Sequence, residues 1–292
     1  MADELETLDT LQELLHIPPL PGTAARLLKL VTDPEVDLGE LARTIEQDPP
    51  LAARIVGVAN SAWFSRGREV VSVEDAIIRV LGLELVRGLA LGMALGRPFD
   101  VHACQAFDAT RYWYIAFVTG SLARDLARPA ELDGEEAACA FLAGLLHNFG
   151  QLVLAHAFPN RMNEVLERAA SEQEADRLVL ERELLAIDEI QAGRFVTRRW
   201  HLPDCVTETL GTPADGEQAE PHRPLAGLVA WAAGIAEALH DQPENEEQEA
   251  EAVSLPAPPA PLTEAVARRL VAKYRDQDEG LRQLARSLTH AE

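Results

Sequence analysis

Apolar residues recur at helical spacing along nearly the whole chain. A half-buried strand would alternate apolar and polar residues, and no stretch of useful length does so. Leu27, Leu28, Leu30 and Val31 lie on one helix face. Pro, Gly and Asp separate such runs. Ile17-Pro18-Pro19-Leu20-Pro21-Gly22 cannot be helical throughout, because each proline biases its predecessor away from the α region. It reads as an extended connector between helices over Leu5–Leu15 and Thr23–Val31. Asp37 to Glu40 and Ser72 to Asp75 have capping-box spacing, and Asp48-Pro49 offers an N-cap followed by proline in the first turn. Helices are expected over Leu38–Gln47, Pro49–Asn60, Val73–Leu81 and Leu83–Leu95. Glu69–Val73 alternates but is too short to found a sheet. The fold class is therefore all-α.

A boundary falls near Arg97-Pro98-Phe99-Asp100, after which the periodic runs lengthen. They predict helices over Phe107–Ala127, Glu135–His156, Asn160–Gln173, Glu174–Leu185 and Asp188–Trp200. A short helix should follow Pro203, and a longer one Pro224–His240. Gln242–Ala252 is strongly acidic and Leu255–Leu262 holds four prolines, which together read as a solvated linker. Glu264–Leu288 is amphipathic and is expected to dock back through Val266, Leu270, Leu281 and Leu284. The organisation is thus a first helical lobe over 14–98, a second over 99–240, a linker over 241–262 and a helical extension over 263–292.

Composition narrows the function. With 26 Lys and Arg against 48 Asp and Glu, the 292 residues carry a formal charge of −22. That disfavours general binding to nucleic acid or to anionic lipid, both of which select basic surfaces. Cys104, Cys139 and Cys205 are odd in number and far apart, so neither a disulfide framework nor a cysteine zinc site is expected. The acidic N-terminus lacks the basic start of a signal peptide, and the apolar Leu83–Leu95 run is interrupted by Glu84 and Arg87. These features point to a cytoplasmic protein.

Phosphate-loop, dinucleotide and G-x-S-x-G signatures are absent. Gly88, Gly92 and Gly96 recur every four residues and form a small-residue helix face suited to close packing. Chemistry is best sought at Leu142-Ala143-Gly144-Leu145-Leu146-His147-Asn148-Phe149-Gly150. His156 follows His147 by 2.5 turns and so falls on the opposite face, and no pair of histidines has the spacing of a helical zinc site. Trp200-His201-Leu202-Pro203 reads as a core anchor followed by a helix stop.

Four ordered motifs carry a family resemblance. They are Pro19-Leu20-Pro21, Gln47-Asp48-Pro49-Pro50-Leu51, Val58-Ala59-Asn60-Ser61-Ala62-Trp63-Phe64, and Ser72-Val73-Glu74-Asp75-Ala76-Ile77 with Leu81-Gly82. Together they resemble the first lobe of the HDOD domain, the HD-related output domain of bacterial signalling proteins. The resemblance continues through Phe141–Leu154 and Trp200–Pro203 and covers roughly residues 14–240.

It implies a two-lobed helical fold and a regulatory, non-catalytic role. HD metallophosphohydrolases place a first His two residues after the equivalent of Trp113, then an adjacent His-Asp pair, then a late Asp. Here Ile115 stands at the first position, His147-Asn148 at the second, and the Trp231–Gly234 region has no Asp. One imidazole cannot hold a catalytic divalent metal, so no catalytic residue, metal or cofactor is expected. The expected partners are signalling proteins on separate chains. The competing functions are a divergent HD-type phosphohydrolase and a nucleotide or cyclic-dinucleotide sensor using the vestigial pocket of Ile115, His147 and Asn148, with Arg111 and Arg124 as candidate phosphate contacts. Asn60, Ser61, Trp63 and Phe64 are candidate interface residues.

Overall fold

A computed structural model of the protein describes residues 16–31, 36–64, 67, 69–171, 176–211, 222–242 and 256–289. The described residues form helices and connecting turns, with no strand among them. The helix proposed over Leu5–Leu15 lies outside the described residues, as does the acidic run from 243 onward.

In the first lobe, α1 (Gly22–Val31), α2 (Leu38–Glu46) and α3 (Pro49–Ala59) lead into a short α4 (Val73–Ala76). That helix widens into a π turn over Ile77–Leu81 before α5 (Leu83–Gly96) begins. The starts follow from local chemistry. Asp37, Asp48 and Ser72 each accept the backbone N–H three residues on, satisfying donors that a helix start leaves orphaned. The face of α5 carrying Gly88 and Gly92 packs against α7 (Gly134–Leu146). A Cβ on Gly88 would lie 2.5 Å from the Phe141 ring, and one on Gly92 would lie 2.5 Å from Leu145. The small-residue stripe is thus the seam between the lobes.

The second lobe is built around α6 (Ala109–Ala127), which packs against α7, α13 (Arg223–His240) and α15 (Asp278–Thr289). The remaining elements are α8 (Phe149–Ala157), α9 (Pro159–Ser171), α10 (Arg177–Leu185), α11 (Glu189–Arg199), the single turn α12 (Asp204–Thr207) and α14 (Glu264–Asp276). One apolar core runs through both lobes. Trp200 anchors it against Phe99 and Phe149, at ring separations of 5.7 and 5.9 Å. His201 then adopts left-handed geometry (φ 55°), as a residue just past a helix end does.

Three expectations are corrected. The helix expected over Glu135–His156 is two helices, broken at His147 and Asn148, because Asn148 leaves helical geometry (φ −102°, ψ 17°). The apolar stretch Gly134–Ala157 has the length and composition to cross a bilayer, but most of it is buried inside this protein. Cys139 and Cys205 form a disulfide with their Cα atoms 6.4 Å apart, joining α7 to α12 across 66 residues. The fold brings the two together where spacing gave no sign of it, and Cys104 stays free and buried. Pro256–Leu262 is largely exposed, as a linker reading expects, but it is anchored at both ends: Trp231 Nε1 donates to the Pro256 carbonyl at 3.0 Å and Leu262 is buried. Finally, α14 and α15 dock through Ala267, Val271, Tyr274, Leu281 and Leu284, whereas Val266 faces outward.

Candidate functional site

The break between α7 and α8 sets the geometry around His147 and Asn148. His147 ends α7, and its Nδ1–H donates to the Gly144 carbonyl at 2.7 Å. A carbonyl only accepts, so Nδ1 carries the proton and Nε2 keeps the lone pair. Burial pushes the imidazole pKa down to about 4; the Gly144 bond opposes this and the nearby Arg177 charge adds to it. Asn148 is buried. Its amide donates weakly to the Tyr112 carbonyl at 3.5 Å, and its Oδ1 has no hydrogen-bond partner. Ile115 is a buried hydrocarbon on α6.

What surrounds His147 is a charge network that sequence reasoning missed. Arg177 Nη2 donates to Glu189 Oε1 at 2.8 Å, and its Nε lies 3.5 Å from Glu181 Oε1. The Glu181 side chain is fully buried and its Oε2 accepts the Glu189 backbone N–H at 2.7 Å. Gln151 donates to Glu189, and Glu237 on α13 lies within electrostatic range of both Arg177 and Glu189. Both Glu181 and Glu189 are held above the usual carboxylate range, first by burial. The Arg177–Glu181 spacing of i,i+4 was a visible signal. Its convergence on His147 was not, because these residues sit on four different helices.

The metal that HD enzymes require does not fit this donor set. Ile115 has no ligand atom, Asn148 offers a neutral amide oxygen, and Arg177 supplies a permanent positive charge that already engages the nearby carboxylates. Among the described residues, no three His, Cys, Asp or Glu side chains converge as a metal site.

The other predicted residues lie elsewhere. Arg111 donates to Asp241 at 3.1 Å and Arg124 to Asp125 at 2.8 Å, so neither is committed to His147. Asn60 is consumed locally: its amide donates to the Val70 carbonyl at 2.7 Å, and its Oδ1 accepts the Val70 N–H at 2.8 Å. Ser61 donates to the Val58 carbonyl. These two residues pin the loop after α3. Phe64 meets Phe117 of α6 edge to face at 6.2 Å, and Trp63 meets Tyr274 of α14 at 5.1 Å. Both rings are only partly buried.

The depressed His147 pKa predicts a stability profile. Unfolding frees an imidazole that binds a proton near pH 6.5, while the folded one resists protonation to about pH 4. Stability should therefore fall as pH drops through that window, by at most about 3 kcal/mol. Urea titrations of wild type and His147→Asn between pH 7 and 4 check this. An unchanged pH slope in the variant would show that His147 is not the titrating group.

The chain matches the model of the HDOD domain over residues 17–212. It therefore belongs to the HDOD family. Its relatives fit that assignment. The crystal structure of a candidate signal transduction protein from Marinobacter aquaeolei VT8 superposes with a TM-score of 0.78 at 28% identity, over 99% of this chain and 66% of that one. A candidate phosphohydrolase from Shewanella amazonensis SB2B superposes with a TM-score of 0.72 at 26% identity, over 96% of this chain and 97% of that one. An uncharacterized protein of Treponema pallidum (strain Nichols) is 29% identical over 221 residues, 74% of this chain. The chain spans 41% of that relative's length.

Proposed function

We propose that this protein is a non-catalytic regulatory module of bacterial signal transduction, acting through contacts with other signalling proteins. One observation carries the reading. Beside His147, where an HD enzyme assembles metal ligands, Arg177 is ion-paired with Glu189 and Glu181. A fixed guanidinium repels a divalent cation and occupies the carboxylates that would bind it. His147 retains one lone pair at Nε2, which is too little to hold a metal or to activate its water. The family membership and the signal transduction relative support the regulatory role; the phosphohydrolase relative makes hydrolysis the reading to be tested against it.

Elemental analysis of protein purified without chelator is expected to find well under one equivalent of Fe, Mn or Zn. Assays with added Mn²⁺ should release no phosphate from nucleotides or cyclic dinucleotides. A stoichiometric metal that is lost in His147→Ala would overturn the non-catalytic reading.

A further inference from the structure

A cavity of about 680 Å³ lies away from His147, between the first lobe and the C-terminal helices. Trp63 and Phe64 form its aromatic wall, the first turn of α5 another, and Arg124 and Lys273 the side facing the second lobe. Two residues that sequence reasoning kept apart, Trp63 as an interface candidate and Arg124 as a phosphate contact, meet here.

The lining has two chemical halves. The indole of Trp63 is partly buried and meets the Tyr274 ring at 5.1 Å, tilted by 50°. Lys273 Nζ stands 6.0 Å from that ring. Arg124 and Lys273 share a single carboxylate, Asp125, at 2.8 and 3.5 Å. Two positive charges against one leave the wall locally cationic in a chain of net charge −22. Glu84 is also at the cavity, but it is paired with Arg87 at 3.1 Å. α5 begins beside the cations at Gly82 with no side-chain cap, and Glu84 in its first turn offsets the partial positive charge of its first N–H groups.

We propose that this cavity binds a nucleoside phosphate, with its base against Trp63 and its phosphate between Arg124 and Lys273. Planar bases stack on aromatic rings, and each such contact is worth roughly a tenfold or greater change in affinity. A phosphate suits paired Arg and Lys donors. The site goes beyond the regulatory reading and does not depend on it. Its ligand would touch the first lobe and α14 together, so occupancy would be felt at the junction between them.

The test titrates the full chain with GMP and AMP, and separately with guanosine, adenosine and inorganic phosphate. Binding is followed by calorimetry and by intrinsic tryptophan fluorescence, with Trp63→Leu identifying the share that comes from Trp63. One saturable site for a nucleotide is expected, bound at least tenfold more tightly than either the nucleoside or phosphate, and weakening as salt is raised. Lys273→Glu sets a carboxylate beside Asp125 and should lower the melting temperature slightly, whereas Lys273→Gln removes the charge without that repulsion and should melt close to wild type; nucleotide affinity should fall at least tenfold in both. Trp63→Leu should lower affinity by a similar factor. No saturable nucleotide binding, phosphate binding as tight as nucleotide binding, or unchanged affinity in Lys273→Glu would each overturn the proposal. So would binding that is lost in His147→Ala but kept in Lys273→Glu, which would place the ligand beside His147.

Discussion

Arg177→Met is expected to destabilise the protein by about 2–4 kcal/mol at pH 8, and by much less at pH 5. Methionine keeps the stem but removes the charge that balances Glu189 and the fully buried Glu181. Both carboxylates already titrate above their ordinary range. Without Arg177 they rise further and stay protonated in the folded state. A carboxylate whose folded pKa exceeds its unfolded value costs stability as pH rises from about 4.5 through the folded pKa. The loss should therefore grow from pH 5 to pH 8. The Arg177 side chain is 30% exposed, which keeps the figure below that for a fully buried pair. Adding Glu181→Gln should recover more than half of the loss, since the amide oxygen can still accept the Glu189 N–H. Urea denaturation of both variants at the two pH values checks this. An equal loss at pH 5 and pH 8 would show that Arg177 contributes packing alone.

Gly150→Ala should be the most damaging single-methyl change in the second lobe. A Cβ at position 150 would sit 1.7 Å from the Glu189 carbonyl oxygen and 2.5 Å from its carbon. Both are backbone atoms, so no rotamer change relieves the clash and α8 must move away from α11. Ordinary overpacking costs about 1–3 kcal/mol; a forced separation of two helices should cost about 4 kcal/mol or more. The displaced residue is Arg177's partner, so the loss should, as in Arg177→Met, be larger at pH 8 than at pH 5. Thermal and urea unfolding of the purified variant measure the cost. A loss under about 1 kcal/mol would mean that α8 and α11 do not approach this closely in solution.

Several elements were legible because their causes are local. Asp37, Asp48 and Ser72 start the helices that their spacing predicted, since a cap reaches only three residues. The Gly88 and Gly92 face reads as a packing seam because a helix returns to the same side every four residues. The run over Glu135–His156 is equally periodic, so periodicity alone carries one helix straight through the break at His147 and Asn148. Periodicity does not register a turn flanked by apolar residues on both sides. The proline content that marks Pro256–Leu262 as a linker is local, whereas its anchor on Trp231 is 25 residues away and leaves no sign in the sequence.

The sequence by itself determined an all-α chain of the HDOD family and the absence of a carboxylate after His147. Those properties rest on residue identity and short-range spacing. Tertiary structure decided what lies beside His147: Arg177, Glu181 and Glu189 from α10 and α11 meet near the end of α7, with Glu237 of α13 close enough for its charge to bear on them. It also decided that Cys139 reaches Cys205, and that Trp63, Arg124 and Lys273 share one cavity. Each of these depends on which helix faces pack together. That is fixed by burial of apolar surface over the whole core, and no local pattern in the chain records it.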